Sequence, residues 1–399
     1  MSGNFYSVFK TALAGSMALT ASCSLSFAAL QAPKEPKSPY KLLYKFQGGA
    51  DGGNPEGDLV EDKSGNLYGT TASGGAYGGG TIFEVNLKRV ETVIYAFKGG
   101  QTDGTSPTTN LIFDSQGNLY GTTRAGGGTG CNGAGCGTVF KLAPNGTETV
   151  IHSFGTAGDG AEPDGGMIFD GQGNLFGTTL YGGSASNGTV YKISNDGSET
   201  VLYSFQGGSD GSNPNENVVM DATGNLYGAA GGGTGNAGVV FRLAPDGTET
   251  TLHTFAGQPG DGAIPTGSLI FDSQGNLYGT TKSGGTSDYG TIFKLAANET
   301  ETMLYSFKNS PDGSYPNPGL IMDASGNLFG TTAQGGCNCA YQGTIFELSP
   351  NGTETTLYAF GKSSSLPVFG LIEDSSGHLY GTTVYRGKKN TGAVFRFTQ

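Results

Sequence analysis

The chain has 399 residues, of which 73 are glycine and 14% are charged, and its formal net charge at pH 7 is -12. This acidic balance argues against a nucleic-acid-binding protein and against electrostatic docking to anionic lipid, because both require a basic surface. Apolar β-forming residues recur at fixed spacing between the glycines, which indicates a turn-rich all-β fold rather than a disordered chain.

The first 28 residues have the composition of an export signal. Lys10 is the only charged residue in this segment, an apolar and small-residue stretch follows it, and Ser26-Phe27-Ala28 offers small residues at both cleavage-determining positions. We predict cleavage near Ala28, a linker over residues 29–38, and a mature protein outside the cytoplasm without a membrane span. An uncleaved anchor and a lipoprotein cleaved before Cys23 are the alternatives.

A heptapeptide of the form GNLYGTT occurs seven times after this segment. The copies begin at Gly65, Gly117, Gly173, Gly224, Gly275, Gly326 and Gly377. Their spacing of 51 to 56 residues is typical of propellers and other repeat arrays. Because Phe176 and Phe329 replace the tyrosine found at Tyr68, we interpret this aromatic position as packing between repeats rather than as chemistry.

Each repeat contains four strand-like segments, which is the composition of a propeller blade. In the second repeat these segments begin at Asn110, Asn118, Gly137 and Glu148. The intervening sequences DSQGN and PNGT carry the residues of short hairpin turns. The repeat therefore predicts seven blades of four strands.

The order of the strands predicts how the ring closes. A fourth-strand sequence, Lys41–Phe46, precedes every other strand, and the chain ends just after a third strand, Gly392–Phe397. We therefore predict a seven-bladed β-propeller over residues 39–399 in which these two segments pair in a three-plus-one closure. Such pairing would leave no open sheet edge.

The sequence GNLYGTT followed by GG, GTIF and ET-VLYSF resembles the GloVer-type tandem repeat of choice-of-anchor exported bacterial proteins, over about residues 40–399. The resemblance implies an exported, surface-associated repeat protein without an assigned activity. Members of that family are often followed by a C-terminal anchoring segment. Since this sequence ends at its last strand, we expect a secreted monomer.

Four cysteines follow the export segment, all in glycine-rich loops. Cys131 and Cys136 lie in CNGAGC, and Cys337 and Cys339 lie in CNC. An oxidising compartment would permit one local disulfide in each pair, although the second ring is small enough to be strained. A metal site is not favoured, because two ligands are too few and no histidine lies nearby.

No catalytic group of residues is apparent. His152 and His253 replace a tyrosine of the fourth strand, His378 replaces a turn asparagine, and none lies near a serine or cysteine in a triad-like arrangement. We assign them structural roles and expect no hydrolase with a nucleophile–histidine pair. The aspartates of the DxxG and DGxxP sequences are assigned to turns, with calcium binding as the alternative for the DGxxP set.

Two glutamates interrupt the first-strand pattern. Glu61 and Glu373 stand where phenylalanine or methionine stands in most repeats, in two blades that are neighbours in the closed ring. Their carboxylates could share a proton or bind a cation such as calcium. A wet channel end beside Lys63 is the alternative interpretation, and no other cofactor is predicted.

The loops on one face of the predicted propeller differ in length and composition. The loops on this face join the second to the third strand of each blade and the fourth strand to the next repeat. We call it the variable-loop face. Its candidate ligand-binding residues are Tyr77, Arg124, Tyr181, Lys282, Tyr289, Tyr341, Tyr385 and Arg386. Because binding residues concentrate on variable loops of rigid scaffolds, we predict a secreted or cell-surface module that binds an extracellular carbohydrate or protein. The alternative is a metal-dependent lyase or lactonase, which resembles streptogramin lyases at the level of fold only.

Overall fold

The repeats fold into seven four-stranded antiparallel sheets, which form the blades of a β-propeller. The computed structural model describes residues 38–214, 216–266, 268–336, 342–361, 366–384 and 391–399. The one helical element within these residues is a 3₁₀ turn at Cys131–Gly133. The predicted all-β, seven-bladed architecture is confirmed.

The strands of a blade follow one another from the central axis outward. The inner strands are Gly53–Glu61, Ile112–Phe113, Ile168–Phe169, Val219–Met220, Ile270–Phe271, Ile321–Met322 and Ile372–Glu373. The second strands are Leu67–Ser73, Leu119–Thr123, Leu175–Thr179, Leu226–Ala230, Leu277–Gly284, Leu328–Gln334 and His378–Thr383. The third strands are Thr81–Val85, Thr138–Leu142, Thr189–Ile193, Val239–Leu243, Thr291–Leu295, Thr344–Leu348 and Ala393–Thr398. The outer strands of blades 1 to 6 are Glu91–Ala96, Glu148–Ser153, Glu199–Ser204, Glu249–Thr254, Glu301–Ser306 and Glu354–Ala359.

The seventh blade has an outer strand from the other end of the chain. Tyr40–Lys45 runs antiparallel to Ala393–Thr398, and this pair shares a sheet with the last inner and second strands. Phe46, which follows the strand, packs edge-on against Phe83 of blade 1 with ring centroids 5.0 Å apart. Residues from both ends of the chain therefore contribute to one buried cluster.

Short strand pairs lie above the inner strands on the variable-loop face. The pairs are Gly104–Thr105 with Ala125–Gly126, Gly160–Ala161 with Tyr181–Gly182, Gly262–Pro265 with Leu277–Gly284, and Ser314–Pro316 with Leu328–Gln334. Each pair places a DGxxP segment beside the continuation of the second strand of the same blade. The first residues of the inner strands are thereby fixed in position around the axis.

The GNLYGTT motif has a packing role, as the sequence indicates. A Cβ atom on Gly69 would lie 2.7 Å from the ring of Phe83, and the equivalent glycine of every other blade meets a third-strand aromatic ring in the same way. The neighbouring Tyr68 packs edge-on against Phe113 of the next blade at 5.2 Å. Glycine therefore makes room for the core of one blade, and the aromatic residue beside it contacts the next.

The last threonine of the motif forms a buried hydrogen-bonded pair with the first residue of the third strand. Thr281 and Thr291 place their hydroxyl oxygens 2.8 Å apart, and four other blades contain the same pair. In blade 4 the paired positions are Ala230 and Val239, both buried. Blade 4 thus lacks both polar partners together, which avoids an unpaired hydroxyl, whereas in blade 7 Thr383 stands opposite Ala393 and its buried hydroxyl has no partner among the described residues.

Candidate functional site

The variable-loop face carries a ring of non-glycine residues in the left-handed backbone conformation. Each is the second residue after the glycine of a DGxxP segment, and all have φ between 53° and 57°: Asn54, Ser106, Glu162, Asn213, Ile264 and Tyr315. The backbone N–H of each donates to a carbonyl of the preceding blade at 2.7 to 2.9 Å. We call these six residues the left-handed ring.

The left-handed ring combines a uniform backbone with different side chains. A positive φ is uncommon for non-glycine residues and a clear outlier for a β-branched one, yet Ile264 adopts it with half of its surface exposed. Strained backbone of this kind concentrates at sites where the geometry is used. The fold therefore displays five kinds of side chain at six equivalent points around the axis.

Below the ring, the inner strand of blade 1 and the segments that precede the inner strands of blades 3 and 4 carry four carboxylates, which we place at the central channel that propellers enclose. These channel carboxylates are Glu56, Asp58, Asp164 and Glu216. Burial raises the pKa of Asp58 to about 6, an effect that hydrogen bonds from Gly370 N–H (2.6 Å) and Asn110 Nδ2 (2.9 Å) partly oppose. The channel is therefore lined by acidic side chains, and burial disfavours the ionised form of Asp58.

Glu216 has the most strongly perturbed ionisation of the four. Burial raises its pKa well above the usual range, and the negative charges of Asp58 and Asp164 add to this effect. Ser268 Oγ lies 3.3 Å from Glu216 Oε2, and Thr108 Oγ1 donates to Asp164 Oδ1 at 2.9 Å. Carboxyls from three blades are thus electrostatically coupled across the axis.

Arg124 lies beside the acidic residues of this channel. Arg124 Nε lies 3.1 Å from Glu162 Oε2, a member of the left-handed ring. Burial alone would lower the pKa of Arg124, but the carboxylates of Asp164 and Glu162 and the nearby Tyr181 raise it above its usual value. Tyr181 is 44% exposed beside them. We call Glu56, Arg124, Glu162, Asp164 and Tyr181 the mouth cluster.

The structure brings together two of the ligand-binding residues predicted from sequence, Arg124 and Tyr181. Tyr77 lies instead under Lys98, whose Nζ is 5.6 Å from the ring centroid, and Tyr289 faces Tyr315 at 6.1 Å. Lys282 is exposed at the equivalent position to Arg124 in blade 5. The predicted residues Tyr341, Tyr385 and Arg386 lie outside the described residues.

Glu61 and Glu373 lie at the opposite end of the inner strands, and both are exposed. Burial together with the charges of Asp374 and Asp62 raises the pKa of Glu61. Glu373 accepts a hydrogen bond from Gln399 Nε2 at 3.4 Å. No direct contact joins the two carboxylates in the described part of the chain. Their role as a metal site, with calcium as the ion, stays a prediction.

The DxxG aspartates cap the turns in which they lie. Asp114 accepts the N–H groups of Gln116 and Asn118 through Oδ1, both at 2.9 Å, and Asn118 Nδ2 through Oδ2. In blade 7 the same capping aspartate, Asp374, holds His378 with Nδ1 2.9 Å from Oδ2. These hydrogen bonds explain the recurrence of the aspartates and the structural role of His378.

The DGxxP aspartates do more than shape a turn. Asp103 Oδ2 accepts both the Lys98 N–H at 2.7 Å and the Tyr95 hydroxyl at 3.0 Å, and that hydroxyl is also 3.3 Å from Glu148 Oε2 of the next blade. Equivalent Tyr–Asp pairs recur in three other blades, and two blades have His in place of Tyr. We call these groups the interblade triads; each comprises an outer-strand Tyr or His, the DGxxP aspartate, and the first glutamate of the next outer strand.

One of the predicted disulfides is present. Cys131 and Cys136 are bonded, with their Cα atoms 5.2 Å apart, and they enclose the 3₁₀ turn of the blade 2 loop. Cys337 and Cys339 lie outside the described residues.

Grooves lie on the opposite face, between adjacent DxxG turns. One, of about 720 Å³ between blades 3 and 4, is lined by residues such as Asp170, Lys192 and Met220. Similar grooves of about 450 and 570 Å³ recur between blades 1 and 2 and between blades 5 and 6. Because they repeat with the blades, we interpret them as the spacing between blades and regard the mouth cluster as the better candidate site.

The comparisons with known proteins agree with the repeat architecture. A family model described as the Gloeobacter/Verrucomicrobia repeat matches residues 32–156, 130–341 and 229–399. The chain belongs to this family. No curated protein sequence matches this chain significantly.

Solved structures similar to this Gloeobacter/Verrucomicrobia repeat protein share its fold at low sequence identity. A streptogramin B lyase matches with a TM-score of 0.59 and 14% identity, over 90% of this chain and 97% of the lyase. A virginiamycin B lyase from Staphylococcus aureus matches with a TM-score of 0.58 and 15% identity, over 90% and 99% of the two chains. The extracellular domain of a putative one-component system from B. thetaiotaomicron matches with a TM-score of 0.55 and 11% identity, over 88% of this chain and 39% of that solved chain. Within the described residues, no helix has the length and apolar character needed to cross a membrane.

Proposed function

We propose that this protein is an exported binding module that takes a neutral or amino-substituted carbohydrate at the channel mouth of its variable-loop face. The grouping of Arg124, Glu162, Asp164 and the exposed Tyr181 carries the proposal. Export is supported by the N-terminal sequence, by the resemblance to exported repeat proteins, and by the similarity to an extracellular domain.

The chemistry of the mouth cluster suits sugar hydroxyl groups. The carboxylates can accept hydrogen bonds from sugar hydroxyls, and the guanidinium of Arg124 can donate to the hydroxyl oxygens of the sugar. The Tyr181 ring offers a flat apolar surface with a polar hydroxyl at its tip. Arg124 and Glu162 already hold each other at 3.1 Å, so little side-chain freedom would be lost when a ligand binds. The local disulfide Cys131–Cys136 similarly restrains the loop that follows Arg124.

The charge of the site favours some carbohydrates over others. Two of the channel carboxylates, Glu56 and Asp164, lie close to the Arg124 guanidinium, which is itself paired with Glu162. A ligand carboxylate or sulfate would meet this negative potential, whereas a neutral or amino sugar would not. We therefore expect neutral and amino sugars to bind in preference to uronic or sulfated ones.

A glycan array that contains neutral, amino-substituted and acidic oligosaccharides tests the proposal directly. We expect signals confined to the neutral and amino groups, and weaker signals for a Tyr181→Ser, Glu162→Gln double variant. Binding of acidic glycans alone, or an absence of signal across the whole array, would contradict it.

A further inference from the structure

The two interblade triads that contain histidine form compact sets of potential metal ligands. His152 Nε2 lies 3.2 Å from Asp159 Oδ2 in blade 2, and Glu199 from blade 3 completes the set. His253 Nε2 lies 3.3 Å from Asp261 Oδ2, and Glu301 completes the second set. Within each set the ligand atoms all lie within 4.8 Å of one another.

The separations agree with those of a small divalent ion. Two ligands of a tetrahedral ion with bonds of about 2.0 Å stand roughly 3.3 Å apart, which is the observed His–Asp separation. One imidazole and two carboxylates are ligands that Zn²⁺ accepts, and three protein ligands leave a fourth position for water. A small movement of the glutamate would complete either site.

A second observation points to a missing partner. Oε1 of Glu199 and Oε1 of Glu301 are buried, and neither has a hydrogen-bond partner among the described residues. A buried carboxylate oxygen without a partner is costly, and such groups are usually paired or bound to a metal. Glu91 and Glu148 in two tyrosine triads have the same unpaired oxygen, but a tyrosine hydroxyl does not supply the nitrogen lone pair of histidine.

The histidine triads can be compared with the tyrosine triads at one equivalent position of the repeat. The two histidines occupy the outer-strand position that holds Tyr95 in blade 1, as the cross-strand partners Val139, Val240 and Ile82 show. Both histidines retain the aspartate contact of the tyrosine triads and pack edge-on against Phe154 and Phe255 at 4.7 Å. The histidine triads therefore differ from their neighbours chiefly in the atom offered to a ligand.

We propose that the triads His152/Asp159/Glu199 and His253/Asp261/Glu301 are two equivalent binding sites for a divalent transition metal of the zinc class. Each ion would join adjacent blades, 2 with 3 and 4 with 5, because the glutamate comes from the following blade. Metal binding would therefore stabilise the propeller through links between blades, separately from any ligand at the channel mouth.

The test compares Zn²⁺ stoichiometries, measured by equilibrium dialysis of chelator-treated full-length protein. His152→Tyr/His253→Tyr introduces the residue found in most other blades and should fold normally; it should bind two fewer Zn²⁺ than the wild type. Tyr95→His, beside Asp103 and Glu148, should bind one more. His378→Asn is the matched control and should leave the stoichiometry unchanged.

Thermal unfolding and Co²⁺ absorption supply independent readouts. Zn²⁺ should raise the Tm of the wild-type protein but not that of His152→Tyr/His253→Tyr. In a titration followed by visible absorption, this variant should bind two fewer Co²⁺ per chain than the wild type. An equal stoichiometry in the wild type and in His152→Tyr/His253→Tyr, with both proteins folded, would overturn the proposal. So would the failure of wild-type protein to bind Zn²⁺ at micromolar concentration.

Discussion

Asn110 of blade 2 holds Asp58 of blade 1 through two hydrogen bonds. Its Nδ2 donates to Asp58 Oδ2 at 2.9 Å, and its Oδ1 accepts the Asp58 N–H at 2.5 Å. Asp58 Oδ1 also accepts the N–H of Gly370 from blade 7 at 2.6 Å. The Asp58 side chain therefore links blades 7, 1 and 2, which are consecutive in the ring.

The first prediction concerns this link. Asn110→Ala removes a donor to a buried carboxylate and should lower the free energy of unfolding by about 2–3 kcal/mol at pH 7.5. The loss should be smaller at pH 5, because the pKa of Asp58 is raised to about 6 and its carboxyl is then largely protonated in the folded state. Denaturant unfolding at the two pH values checks this. Asn217→Ala, which removes only a bond to the Gly166 N–H, serves as the control and should show no such pH dependence.

The second prediction concerns the interblade triads that contain tyrosine. Burial, reinforced by the partner aspartate, raises the pKa of Glu91, Glu148 and Glu354 to about 7. Between the unfolded value near 4.5 and about 7, the folded state then binds more protons than the unfolded state. Stability should therefore fall as the pH rises through this window.

Thermal unfolding from pH 5 to pH 8 measures the effect. We expect a higher Tm at pH 5 than at pH 8, and a smaller difference in a Glu148→Gln/Glu354→Gln variant than in the wild type. Glu84→Gln is the control. A Tm that rises steadily from pH 5 to pH 8 in the wild type would show that these carboxyls do not titrate as described.

The third prediction uses the threonine pair of blade 5. Thr281→Ala leaves the buried hydroxyl of Thr291 without its partner at 2.8 Å and should cost about 1–3 kcal/mol. Adding Thr291→Val reproduces the Ala230–Val239 pair of blade 4 and should recover part of that cost. Urea unfolding of the two single variants and the double variant gives the coupling energy. Additive costs would show that the hydroxyls are energetically independent.

The fourth prediction concerns the glycine of the motif. A Cβ on Gly177 would lie 2.5 Å from Tyr191 Oη and 2.7 Å from its Cζ, inside a buried cluster. Gly177→Ala should therefore destabilise the protein by about 1–3 kcal/mol or more. Gly171 in the same blade has no atom within 4 Å of an added Cβ, so Gly171→Ala should be nearly neutral. Equal midpoints of denaturation for the two variants would contradict this account of the motif.

The sequence was sufficient to predict the blades because the determinants of a blade are local. Gly69, the turn aspartates and the alternating apolar residues each act within one repeat, and their period gives the number of blades. The packing role of Tyr68 follows from the same pattern, since an aromatic residue repeated in every blade contacts the next blade.

The candidate site could not be read in the same way, because it joins residues from different repeats. Arg124 and Glu162 are 38 positions apart, and Glu199 reaches His152 from the next blade. Aligning the residues that follow the proline of DGxxP would have placed Glu56 and Asp164 at equivalent positions. The positive φ of Ile264 has no counterpart in its sequence, because isoleucine does not signal that conformation.

The proposed function requires that the ligand binds at the channel mouth. Isothermal titration calorimetry with the glycan that gives the strongest array signal measures this. The mouth variant is Arg124→Ala/Tyr181→Ser, and the control is Asn145→Asp/Asn351→Asp, whose changes lie on the opposite face. We expect affinity at least about tenfold weaker for the mouth variant, equivalent to about 1.4 kcal/mol, and unchanged affinity for the control. Full affinity in the mouth variant together with a loss in the control would contradict it.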